Sequence, residues 1–182
     1  MLNPLQKGPL GAQTRQMTNN DILRRLRFIL DYDDAKMIDT FAMADTEVRR
    51  GHIVSWLLKE DEHSYQACND KMLAIFLNGF ISIKRGKKSG LQPKPETVLT
   101  NNLILKKLKI ALKLESEDII EILSLSDFEL SAPELSSFFR KPGHRNYRVC
   151  KDQVLRNFLM GLQIQLRENE KKLPNSVWGS RA

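Results

Sequence analysis

The chain has 182 residues, 41% of them apolar, and carries a formal charge of +7. That length suits one ordinary domain or two small ones. No apolar run approaches the roughly 18 residues of a membrane span, which excludes a transmembrane helix, and two cysteines are too few for a disulfide scaffold.

Residues 1–17 contain Pro4, Gly8, Pro9 and Gly11 with neither a long apolar core nor periodicity, so they read as a disordered extension rather than a secretory signal, with Met17 as a plausible natural start. From Thr18 onward the chain matches itself at a shift of 82 residues without a gap. Of the 63 aligned pairs from residues 18–80 and 100–162, 19 are identical. Thr18-Asn19-Asn20 returns as Thr100-Asn101-Asn102, Tyr65 as Tyr147, Cys68 as Cys150, Asp70 as Asp152 and Gly79 as Gly161. A match of this kind marks a duplicated domain. A unit near 60 residues buries only about 60% of its unfolded surface and is marginal alone, so the copies are expected to pack together.

Each copy reads as about four helices. The first opens at Asn20 or Asn102 as a candidate cap and repeats apolar residues at Ile22, Leu26, Ile29 and Leu30, or at Ile104, Leu108, Ala111 and Leu112. Arg24, Arg25 and Arg27 on its outer side become Lys106, Lys107 and Lys109, read as a solvated face or as a phosphate-facing stripe. A second helix is expected near 34–44 and 116–126. A third is announced by Ser131, Pro133 and Glu134, a capping box with proline in the first turn, and its aligned partner spans 49–58. The fourth has the most regular spacing: Met72, Leu73, Phe76, Leu77 and Phe80 recur as Val154, Leu155, Phe158, Leu159 and Leu162. Glycine inside it, at Gly79 and Gly161, costs about 1 kcal/mol against alanine, and a close helix crossing explains it.

Residues 81–99 read as an exposed basic linker containing Gly86, Gly90, Pro93 and Pro95; residues 163–182 read as a helix extension followed by a loose tail. With no sustained alternation, the fold class is all-α: two tandem homologous helical repeats packed together.

The charge is unevenly distributed. Repeat one has 8 Lys and Arg against 11 Asp and Glu, repeat two has 10 against 8, and the linker has 5 against 1. Catalytic constellations are not apparent: no nucleophile with its base, no phosphate-binding loop, and no histidine and cysteine spacing of the kind that holds zinc. No enzyme activity, metal or cofactor is therefore expected. Basic residues do cluster, and the candidate anion or nucleic-acid contacts are Lys84, Arg85, Lys87 and Lys88 of the linker, Lys106 and Lys107 of the first helix of repeat two, and Arg140, Lys141, His144, Arg145, Tyr147 and Arg148 of the loop before its last helix. The corresponding loop of repeat one is acidic, with Glu60, Asp61 and Glu62. The second and third helices also suggest a helix-turn-helix pair, although the connection exceeds the usual 3 to 4 residues.

The strings Asn20-Asp21-Ile22-Leu23-Arg24, Phe76-Leu77-Asn78-Gly79 with Lys84-Arg85-Gly86, Asn101-Asn102 with Ile104-Leu105-Lys106-Lys107-Leu108, and His144-Arg145-Asn146-Tyr147-Arg148 with Cys150, Asp152 and Gln153 resemble the YehS-like family. That resemblance covers residues 17 to about 165 and implies a bacterial cytoplasmic protein with a doubled domain of unknown function; it carries over no catalytic residues. Two readings of function stand side by side: a regulatory nucleic-acid-binding protein that uses the basic linker and the repeat-two loop, and a protein-interaction adaptor or homodimeric scaffold.

Overall fold

The computed structural model describes residues 16–87, 89–90 and 92–168. The expected extension before Gln16, the tail after Glu168 and Lys88 of the linker lie outside the described residues. Repeat one consists of α1 (Asn19–Ile29), α2 (Asp34–Ala42), α3 (Arg50–Leu57) and α4 (Asp70–Arg85). Repeat two follows with α5 (Asn101–Leu112), α6 (Ser116–Ser124), α7 (Ala132–Phe138) and α8 (Asp152–Gln163), prolonged by a π-helical segment, Ile164–Glu168. The protein is all-α, built from two tandem repeats, with no strand among the described residues. None of the described helices is long and apolar enough to cross a membrane.

The asparagines expected as caps do something else. Thr18 caps α1: its hydroxyl accepts the Asp21 N–H at 3.2 Å while the Asp21 carboxylate accepts the Thr18 N–H at 2.9 Å. Thr100 caps α5 by accepting the Leu103 N–H, without a reciprocal bond because leucine stands where Asp21 does in repeat one. Asn20 is the second residue of α1 and is buried. Its amide donates to the carbonyls of Trp56 (2.9 Å) and Gln66 (2.8 Å), and its Oδ1 accepts the Cys68 N–H at 3.0 Å. Asn102 repeats this set on Phe138, Arg148 and Cys150 at 2.9, 2.8 and 2.9 Å. Each asparagine thus holds the end of the third helix to the loop that precedes the fourth, satisfying backbone groups that burial would otherwise leave unpaired.

Within each repeat the second helix crosses the fourth, and glycine sets the distance. A Cβ on Gly79 would lie 1.7 Å from the Thr40 carbonyl oxygen, and one on Gly161 would lie 1.8 Å from that of Ile122. Packed around these crossings are Phe41, Phe76 and Phe80 in repeat one and Phe158 in repeat two, all fully buried, with the Phe41 and Phe76 rings 5.4 Å apart.

The repeats meet reciprocally: α4 packs on α5 and α1 packs on α8, so the last helix of each half lies against the first helix of the other. Two hydrogen bonds mark the relation. Asp152 accepts the Met17 N–H at 2.9 Å, and Asp70 accepts the Leu99 N–H at 2.8 Å. Under the 82-residue shift Met17 is equivalent to Leu99 and Asp70 to Asp152. The second oxygen of each aspartate accepts the amide of Asn19 or Asn101 in its own repeat. A single core runs through both halves.

Residues 81–99, expected as an exposed linker, are in part structural. Helix α4 runs on to Arg85 because Ile81 and Ser82 continue its packing, and Gly86 ends it at a φ of 86°. Leu99 is buried and Glu96 half-buried.

Cys68 and Cys150 are free and buried, and desolvation pushes both thiols up to about 12. Neither should react with a disulfide reagent at pH 8 in the native protein, and both should react in denaturant. The thiols of the unfolded chain lose their protons near the ordinary value while the folded ones keep theirs. Stability should therefore fall as pH rises above about 9, by up to about 1.4 kcal/mol per pH unit for each thiol. Urea midpoints measured between about pH 8 and pH 10.5 check this.

Candidate nucleic-acid interface

The twelve residues singled out in the sequence do not form one patch; the structure sorts them by the helices that carry them. Lys84 and Arg85 stand on the last turn of α4, not in a linker. Lys84 Nζ lies 5.8 Å from the centre of the Phe80 ring. Lys87 is paired with Asp45, and Lys88 lies outside the described residues.

Lys107 is a correction. Expected on an outer face, it is buried: its Nζ donates to Asn78 Oδ1 at 2.6 Å and lies 3.0 Å from the Glu96 carboxylate. The chain after α4 folds back over α5 and covers it. Most of the repeated stripe is similarly engaged. Arg24 donates to the Leu58 carbonyl and pairs with Asp21, while Arg27 and Lys109 each close the end of their helix on the carbonyl of Tyr32 or Leu114.

Arg85 and Lys106 come together instead. They line a shallow groove of about 360 Å³ together with Lys109, Lys113, Phe139 and one acidic residue, Glu115. Among the described residues no acidic side chain lies within ion-pair distance of Arg85, Lys106 or Lys113. At the equivalent place in the other half, Arg167 pairs with Asp31 at 3.1 Å and lies over the Phe28 ring. Arg167 corresponds to Arg85, and Asp31 to Lys113. One location thus holds a neutralised pair on one side of the molecule and, on the other, four cations of which only Lys109 has a carboxylate, Glu115, within ion-pair distance among the described residues.

Phe139 leads into Arg140 and a second groove of about 590 Å³. Arg140, Arg145, Tyr147 and Arg148 line it with Ser136, Asn146 and a single carboxylate, Glu134. Arg145 and Arg148 are exposed, and Arg140 and Tyr147 complete the wall. Hydrogen bonds from the Ser131 side chain and then its backbone N–H hold the Glu134 carboxyl below its ordinary value, so it is ionised at neutral pH. Lys141 and His144 sit exposed on the same loop, where His144 Nδ1 accepts the Asn146 N–H at 3.1 Å and braces the turn at Gly143. Asn102 and a bond from the Arg148 N–H to the Ser137 carbonyl, 3.2 Å, fix the loop to α7.

Repeat one has the same groove, lined by Arg49, His52, Ser55, Tyr65 and Gln66. There the Tyr65 hydroxyl donates to Asn20 Oδ1 at 3.2 Å, and the nearby loop carries Glu60, Asp61 and Glu62. The helix-turn-helix reading fits poorly: residues 43–49 separate α2 from α3, and Arg50 is tied to Asp34 at 2.8 Å.

Lys113 and Phe139 were not among the residues that the sequence pointed to, and Lys109 was pointed to only as part of the repeated basic stripe. The aligned change from Asp31 to Lys113 was the signal that could have found them. Among the described residues no three His, Cys, Asp or Glu side chains are placed to hold a metal ion.

The family described as a protein of unknown function, DUF1456, matches residues 19–86 and again 101–168. The chain belongs to this family. It is similar to the uncharacterized protein YehS of Escherichia coli (strain K12), at 43% identity over 157 residues that cover 86% of this chain and 99% of that one. No solved structure matches it. The two family segments coincide with α1–α4 and with α5 through the π-helical segment, so each family unit takes in the basic end of its last helix.

Proposed function

We propose that the protein is a non-enzymatic, cytoplasmic nucleic-acid-binding protein, and that the strand backbone runs along repeat two from Arg85, Lys106 and Lys113, past Phe139, to Arg140, Arg145 and Arg148. The observation that carries this reading is the substitution of Lys113 for the Asp31 that neutralises the equivalent arginine, Arg167, in the other half. Uncompensated cations held on helices suit phosphates, which need position and charge rather than a deep pocket. Tyr147, beside Arg148, offers a ring on which a base can stack.

Fluorescence anisotropy with short labelled duplex and single-stranded oligonucleotides tests the proposal. Binding should weaken with salt at a log-log slope of about −0.9 per phosphate neutralised on a duplex. Joint replacement of Arg85, Lys106 and Lys113 by glutamate should weaken binding at least about tenfold and flatten the slope by about one for each phosphate left without its cation. Reversal of Arg49 on repeat one should change little. Absence of binding at low salt would overturn the proposal, as would protein partners captured from lysate that survive nuclease, the result an interaction adaptor or scaffold requires.

A further inference from the structure

The cationic track of repeat two carries aromatic rings as well as charge. Phe139 lines its first groove with Arg85, Lys106 and Lys113, at the position where repeat one has Leu57, and Arg140 follows it where repeat one has Leu58. Ring and charge have thus entered the same copy at adjacent positions. Phe139 packs in part against the core, which holds the ring in place. Tyr147, on the second groove, differs from its equivalent in another way. In repeat one the Tyr65 hydroxyl donates to Asn20 Oδ1, which also accepts the Cys68 N–H. Among the described residues Asn102 Oδ1 accepts only the Cys150 N–H, and the Tyr147 hydroxyl makes no hydrogen bond. Close by along the chain Val149 is 66% exposed, where repeat one has Ala67.

A duplex would use the cations and leave the rings idle. Its bases are stacked on one another, so a protein meets phosphates and base edges but not base faces. Nor does α7, which borders the second groove, suit a major groove. A recognition helix reads bases with its N-terminal residues, and α7 opens with Ala132, Pro133 and Glu134 after the Ser131 cap, bringing a carboxylate and no cation. An unpaired strand offers backbone charge and open base faces together, and every base can stack on an aromatic side chain. Resting on the nucleic-acid reading, we propose that the ligand is a single strand, RNA or DNA. Its phosphates follow the cations while one base stacks on Phe139 and another on Tyr147, whose hydroxyl is left to donate to the strand. Repeat one has leucine at the first platform, a tied hydroxyl at the second and an acidic loop beside them, so the strand binds one flank of the molecule.

The test titrates the full chain with a labelled dodecamer, made as DNA and as RNA, alone and annealed to its complement, at one low salt concentration. At least one single strand should bind about tenfold more tightly than its own duplex, although the duplex carries more charge. A DNA strand of the same length with every base replaced by an abasic tetrahydrofuran unit keeps the phosphates and should bind at least about tenfold more weakly than the strand with bases. Phe139→Leu, which installs the residue found in repeat one, and Tyr147→Leu should each weaken single-strand binding about fivefold or more. Both should leave the salt slope and the duplex affinity unchanged, with a cooperative thermal melt as the check on folding. Duplexes that bind within about twofold of both single strands, an abasic strand as tight as its parent, or folded variants with unchanged single-strand affinity would overturn the stacking platforms and leave the backbone interface standing. Failure of every oligonucleotide at low salt would remove both.

Discussion

Gly79→Ala should destabilise the protein by more than about 3 kcal/mol, a large share of the roughly 5–15 kcal/mol that holds a domain folded. The added methyl would sit 1.7 Å from the Thr40 carbonyl oxygen, a backbone atom that no rotamer change can move aside. Helix α2 must then back away from α4, opening gaps around Phe41 and Phe76, whose packing depends on that approach. Gly161→Ala should behave alike, since Ile122 presents its carbonyl oxygen at 1.8 Å. Gly51 is the control. It lies on the exposed side of α3 with nothing within 4 Å of the Cβ position, so alanine there should be neutral or stabilise by up to about 1 kcal/mol through helix propensity. Urea unfolding of the three variants checks both the size and the opposite sign; equal midpoints for Gly79→Ala and Gly51→Ala would refute the close crossing.

Asn102→Ala should cost about 3–5 kcal/mol. It strips partners from the Phe138 and Arg148 carbonyls and from the Cys150 N–H, all near buried surface, and each group so orphaned costs about 1–3 kcal/mol. Asn102→Asp should not rescue it: the carboxylate can still accept from Cys150 but cannot donate, and would face two carbonyl oxygens. The variant also separates folding from function. Since Arg148 lies in the loop that Asn102 holds, surviving folded protein should show faster amide exchange at residues 144–149 and weaker oligonucleotide binding, whereas Asn20→Ala should destabilise to a similar degree without loosening that loop. Denaturant melts with hydrogen exchange measure both.

Much of the architecture was readable from residue patterns because it rests on local periodicity and on repetition. The apolar spacing in α4 and α8, the capping box at Ser131 and the glycines at equivalent places each have a local cause. What could not be read depends on approaches between distant segments. Asn20 has the composition of a helix cap, and only the position of the Trp56 and Gln66 carbonyls, far along the chain, makes it a buried bracket instead. Lys107 follows the pattern of a solvated helix face until residues after α4 return to lay Glu96 against it. The basic interface was half visible: the loop cations cluster in the sequence itself, but Arg85 and Lys113 are brought together only by α4 lying on α5.

The paired bonds from Met17 to Asp152 and from Leu99 to Asp70 have the geometry of a two-fold assembly of identical subunits, drawn here within one polypeptide. A symmetric pair must change both faces at once whenever one residue is altered. Fusion lifts that constraint. It allows an acidic flank and a cationic flank to diverge on the same scaffold while the shared seam, and with it the cooperativity of the whole, stays intact.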